Sequence, residues 1–143
     1  MSIFHSIGEI AVHCREFYAY LMLREAVRKA NKAFSQTGKR HYVVPSLGGR
    51  PRLLVMDRTN FRILKRKHYM NQQALTRDLM CGSFYFTPYC DGSGQITEAE
   101  RRYKAQQCFL WYASETKEEK RRKKAEKKRK REEKKNGKIQ CKG

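Results

Sequence analysis

From Glu115 to Lys135 the chain carries thirteen Lys or Arg and six Glu, with Thr116 and Ala125 the only other residues. A helix docks on a core through an apolar stripe of three or four positions per two turns, and no such stripe survives in this run. Buried contacts must therefore come from what precedes it. The expected organisation is a small domain over residues 1–114 followed by a Lys/Arg-rich tail over 115–143. Two states suit such a tail: an extended helix held by i,i+4 ion pairs, or a disordered arm.

The first 114 residues show the two periodicities that build layers. Helical spacing runs from Ile3 to Phe34, with Ser6 and Glu9 placed as a capping box in its first turns. The helix should stop at Thr37-Gly38, since glycine suits the left-handed position beyond a C-terminus, and Arg28, Lys29 and Lys32 sit where the helix dipole favours cations. Its apolar face changes side along the way. Ile3, Ile7, Ile10, Cys14, Phe17, Tyr18 and Leu21 form one stripe, whereas Leu23, Ala26, Val27, Ala30, Ala33 and Phe34 lie roughly opposite. One helix must then serve two surfaces, or bend near Leu21.

Two β-prone runs follow, Arg40 to Val44 and Arg52 to Met56, separated by Pro45-Ser46-Leu47-Gly48-Gly49-Arg50-Pro51, the pattern of a hairpin. Asp57 is placed to cap a helix from Arg58 to His68, and a second short helix is expected over Gln72 to Met80. Ser83 to Thr87 forms a third strand or packs as a loop. A last long helix should begin at Thr97 and hold Tyr103 and Phe109-Leu110-Trp111-Tyr112 before turning almost wholly charged. The expected fold is α+β: a long N-terminal helix, a β-hairpin or small antiparallel sheet, short helices, and a long C-terminal helix with a charged extension. Packing the two long helices together would bury the N-terminal stripe, at about 1.5–3 kcal/mol per large side chain.

The segment Tyr89-Cys90-Asp91-Gly92-Ser93-Gly94-Gln95-Ile96-Thr97-Glu98-Ala99-Glu100 is close to an EF-hand loop in spacing. With Gly94 at the sixth position, Asp91 takes the third, Ser93 the fifth and Glu100 the bidentate twelfth. The first position, which needs a carboxylate, is Tyr89, and Pro88 stands where an entering helix should end. A turn over residues 91–94 and a capping box of Thr97 with Glu100 account for the same residues.

Catalytic patterns are missing. His5, His13, His41 and His68 have no HExxH spacing, no Ser sits in GxSxG, and Gly48-Gly49 lacks the Lys-Ser/Thr of a phosphate loop. Cysteines 14, 81, 90, 108 and 141 form no CxxC pair, so neither a disulfide framework nor a spaced zinc site is expected. The chain is read as a non-enzyme with no cofactor. Lacking a signal-peptide pattern and any membrane-spanning run, it is expected inside the cell, cytoplasmic, or nuclear in a eukaryote. Arg121 to Lys124 and Lys127 to Arg131 have the form of nuclear-localisation runs.

Charge is the strongest remaining signal. The formal charge is +19, and a polyanion, DNA or RNA first, is the expected partner. Arg58 to Tyr69 holds five cations and no acid. On a helical projection Phe61, Leu64 and His68 share one side, and Arg58, Arg62, Lys65, Arg66 and Tyr69 another, so the helix can dock while presenting a basic ridge with an aromatic ring for stacking. Arg24, Arg28, Lys32, Lys39 and Arg40 form a second candidate patch, which would complete a groove if it faced the same way. The competing expectation is a peripheral membrane or protein-assembly module using the apolar stripe of the N-terminal helix.

Overall fold

The computed structural model describes the backbone of residues 3–46 and 49–140 and the side chains of 13–46 and 49–137. In chain order it contains α1 (Ile3–Thr37), β1 (Tyr42–Pro45), β2 (Leu53–Met56), α2 (Arg58–Arg66), α3 (Thr76–Gly82), β3 (Tyr85–Phe86) and α4 (Glu98–Gln140). The architecture is α+β, as expected. The strands form one antiparallel sheet in the order β2-β1-β3, with Tyr42 opposite both Met56 and Phe86, and Val43 opposite both Val55 and Tyr85. The pairing of β1 with β3 settles Ser83 to Thr87 as a strand and its flanks. Its ladder is lengthened by Phe84 N–H to the Val43 carbonyl and Thr87 N–H to the His41 carbonyl, while Thr87 Oγ1 accepts the His41 N–H.

Alternation along the strands sends successive side chains to opposite faces, and each face builds its own core. On one, Val43 and Tyr85 pack with Leu23, Ala26 and Ala30 of α1 and Cys108 of α4. On the other, Tyr42, Val44, Met56 and Phe86 pack with Phe61 of α2 and Leu79 of α3. The result is three layers: two long helices, a small sheet, two short helices. Tyr85 ties the first two together through its Oη–H, which donates to Asn31 Oδ1 at 2.9 Å.

The helix ends follow local chemistry. Gly38, at φ 68°, closes α1 by donating its N–H to the Phe34 carbonyl at 2.8 Å, the left-handed cap that glycine permits. The final turn of α1 carries no cation, because the helix runs on to Thr37 and leaves Lys32 a turn upstream. The Ser6–Glu9 capping box lies outside the described side chains. Asp57 caps α2, its Oδ1 accepting the Asn60 N–H at 2.8 Å. The second short helix starts at Thr76 instead of Gln72. Asn71 diverts the intervening residues into a turn, its Oδ1 accepting the Gln73 N–H and its carbonyl the Ala74 N–H, before Asp78 Oδ2 takes the Leu75 N–H.

The half of α1 that packs inward is the one with Leu23, Ala26 and Ala30. Phe17, Tyr18 and Leu21, roughly opposite at 100° per residue, stay exposed at 62%, 51% and 42%. Burial of that stripe against the C-terminal helix is therefore not what happens to its described members. Ala19 and Cys108 are fully buried whereas Leu110 is exposed, and Tyr18 reaches across to α4, its ring 5.7 Å from that of Tyr112. The side chains of Ile3, Phe4, Ile7 and Ile10 lie outside the described residues.

The composition break at Ser114 coincides with no break in α4. The helix continues through the charged run, where Glu118, Glu119 and Glu126 pair with Arg121, Lys123 and Lys130, and Glu132 and Glu133 pair back to Lys128 and Arg129. Each such exposed pair contributes little, but the repetition supports the helical state of an otherwise undocked segment.

Candidate nucleic-acid interface

Helix α2 is held by its apolar side and shows its cations on the flank. Phe61 is buried and Leu64 half-buried, while Arg58, Arg62 and Arg66 are all exposed. These three recur at i,i+4, about 6 Å apart along the axis. Asp57, the nearest carboxylate in sequence, is spent on the Asn60 amide. Among the described residues no salt bridge reaches any of the three arginines.

Lys65 does not share that freedom. It is half-buried, and its Nζ donates to the Ala74 carbonyl at 2.8 Å, tying α2 to the loop before α3. At 100° per residue Lys65 lies between Phe61 and Arg58, close enough to the packed side for its long stem to be drawn inward.

The helix ends earlier than expected, at Arg66, and its ending repositions Tyr69. His68 adopts φ 60°. Its N–H bonds to the Lys65 carbonyl, and the Tyr69 N–H reaches back to the Leu64 carbonyl at 3.0 Å. These are the two bonds of a Schellman motif, with histidine where glycine usually stands. The motif also brings Tyr69 toward Leu64. Both line a concavity of ≈ 350 Å³ between the hairpin, α2 and α3, and the Tyr69 ring remains 69% exposed.

The second candidate patch divides. Arg24, Arg28, Lys32 and Lys39 are exposed, with Arg28 held 3.6 Å from Glu25. They belong to the α1 layer and its exit, so the sheet lies between them and α2, and the single groove does not form. Arg40 is not a surface residue at all. It is 7% exposed, its guanidinium carbon stacks 4.4 Å from the Phe86 ring centroid and 4.3 Å from that of Tyr89, and its Nη2 donates to the Gly94 carbonyl at 3.2 Å. Among the described residues its Nε has no hydrogen-bond partner. The residue pins the 88–97 loop to the sheet and cannot reach a phosphate.

That loop also answers the calcium-like spacing. Asp91 Oδ1 accepts both the backbone N–H of Ser93 at 3.0 Å and its Oγ–H at 2.7 Å, and these bonds hold the carboxyl below its ordinary range. Thr97 Oγ1 accepts the Glu100 N–H at 3.2 Å and starts α4. Among the described residues no group of three His, Cys, Asp or Glu converges on a common point.

Sequence reasoning passed over Lys104. It is 8% exposed, and its Nζ donates to the carbonyls of Met80 at 2.9 Å and Ser83 at 2.8 Å, capping the end of α3 from across the molecule. Burial lowers its pKa, opposed by the neighbouring Glu100. Its i,i+4,i+7 spacing with Cys108 and Trp111, which puts all three on one helix face, was the available signal.

No helix among the described residues is long and apolar enough to cross a membrane. Comparison with known protein families, with curated proteins and with solved structures gives no match for this chain.

Proposed function

We propose that the protein is a non-catalytic nucleic-acid-binding protein that grips the phosphate backbone through the Arg58–Arg62–Arg66 ridge of α2, with the cationic extension of α4 adding further contacts. The observation that carries this is the exposure of three evenly spaced guanidinium groups that no described carboxylate neutralises. Guanidinium forks match phosphate oxygens, and a row of them along one helix matches a chain of phosphates better than a single anion. The extension is cationic in excess of its pairs. Five of its carboxylates each hold one cation, which leaves most of the thirteen Lys and Arg unneutralised.

The test is the slope of log K against log salt for the full chain on duplex DNA and duplex RNA. Each phosphate contact contributes about 0.9 to that slope on duplex DNA. Replacing Arg58, Arg62 and Arg66 together by Ala should reduce it by about 2–3 on DNA. An unchanged slope assigns the binding to the α4 extension alone and removes α2 from the interface.

A second reading has its own observation. Phe17, Tyr18 and Leu21 of α1 are exposed, as is Leu110 of α4, and residues of both helices line a groove of ≈ 780 Å³. An apolar surface of this kind suits a peripheral membrane or protein-assembly contact. Flotation with anionic liposomes that is lost in Phe17→Ser/Leu21→Ser would favour the membrane form.

A further inference from the structure

The pocket that Tyr69 borders differs in chemistry from the ridge beside it. Helices α2 and α3 are too short to cover their face of the sheet, and the space left between them and the hairpin is walled by Met56, Phe61 and Leu64, with Met70 at one side. Among the described residues, two charged ones line it. Arg52, exposed just before the edge strand β2, supplies a positive charge; Asp78, whose Oδ2 accepts the Leu75 N–H, supplies a negative one.

Those walls select the occupant. The apolar interior excludes a phosphate, whereas the exposed arginines of the ridge attract one. A fitting ligand therefore has a flat, uncharged body and a charged thread, which is the make-up of one nucleotide in a strand. The volume of ≈ 350 Å³ is ample for a single base, near the small end of the usual range of about 300–1,000 Å³. Tyr69, exposed and held at the rim by the Schellman turn, offers a ring face on which a base can stack.

We infer that this pocket receives an unpaired base of a single strand whose phosphates run along Arg58, Arg62 and Arg66, which makes single-stranded nucleic acid the preferred substrate. The inference rests on the nucleic-acid reading above and adds to it a substrate class. A duplex has the higher charge density, so electrostatics alone would favour the duplex. Preference for a single strand must then come from the bases.

The experiment measures the affinity of the full chain, at one fixed salt concentration, for three labelled DNA probes: a thymidine strand of about twelve nucleotides, within the usual site size, an abasic strand of the same length, and a duplex of that length. The thymidine strand should bind tightest. Tyr69→Ala should weaken its binding about tenfold, in line with the loss of one stacked base, and leave the duplex and abasic affinities unchanged. Tyr69→Phe, which keeps the ring, should bind as the parent does. Equal affinity for the base-bearing and abasic strands, or a Tyr69→Ala effect shared by all three probes, overturns the inference while the ridge stands, provided Arg62→Ala/Arg66→Ala still weakens every probe. Loss of no affinity in the arginine variant overturns the ridge and this inference with it.

Discussion

Arg40 and Arg62 are twenty-two positions apart in the chain, and opposite losses should follow from truncating them. In Arg40→Ala the two ring stacks, at 4.4 and 4.3 Å, disappear together with the 3.2 Å bond to the Gly94 carbonyl. Desolvated cation–π contacts contribute about 0.5–2 kcal/mol each and a charged hydrogen bond about 1.5–3 kcal/mol. The unpartnered Nε and the burial of the charge offset part of this, leaving an expected net loss of about 3 kcal/mol. Thermal unfolding should show a midpoint lower by about 10 °C. Arg40→Met keeps the packed stem and removes the buried charge, so it should cost only about 1 kcal/mol. Arg62→Ala, on an exposed helix flank, should stay within about 0.5 kcal/mol of the parent. Nucleic-acid affinity should reverse the order, weakened by Arg62→Ala and untouched by Arg40→Met. A stable Arg40→Ala that has lost affinity would refute the placement of Arg40 in the core.

Gly94→Ala should disturb the same clamp, because at φ 69° an added Cβ would sit 3.0 Å from the Tyr89 ring and 3.1 Å from Arg40 Nη1; urea unfolding should show a loss of about 2 kcal/mol. Lys104→Met leaves the Met80 and Ser83 carbonyls without their donor and should cost about 2 kcal/mol in the same assay. His68→Gly should raise stability by about 0.5–1 kcal/mol, since φ 60° is paid for by a Cβ there. Burial pushes the Cys108 thiol from 9.0 up to about 12, so in the native protein iodoacetamide at pH 8 should label Cys14, Cys81 and Cys90 and spare Cys108. Because its folded value is the raised one, stability present below pH 9.0 is lost as the pH climbs toward about 12; the stability advantage of the parent over Cys108→Ala should shrink between pH 8 and pH 10.

Elements with a chemical start and stop were legible in the chain. Gly38 ended α1, Asp57 began α2 and Thr97 began α4, because caps are local and written in one or two residues. The two β-prone runs around Val43 and Val55, parted by the Pro45–Pro51 turn, marked the hairpin for the same reason. Legibility failed where a side chain's partner is distant in sequence. Arg40 reads as one more cation beside Lys39, and only the arrival of Phe86, Tyr89 and Gly94 turns it inward. Lys65 left the ridge because the Ala74 carbonyl came within reach. The two faces of α1 were visible from spacing, but which of them finds a partner depends on where the sheet and α4 lie. Small residues at 19, 26 and 30 let those elements approach closely on one side, and the aromatic stripe was left outside. Tyr69 kept its exposure but changed neighbours, from the arginine row to Leu64, once the left-handed His68 ended the helix.

The most direct test is photo-crosslinking of the full chain to a 4-thiouridine-containing single strand, with the attached peptides mapped by mass spectrometry. The account predicts adducts within residues 58–69, including Tyr69, that fall away when Arg58, Arg62 and Arg66 are replaced. Adducts confined to the α4 extension, or to the α1 face, would contradict it.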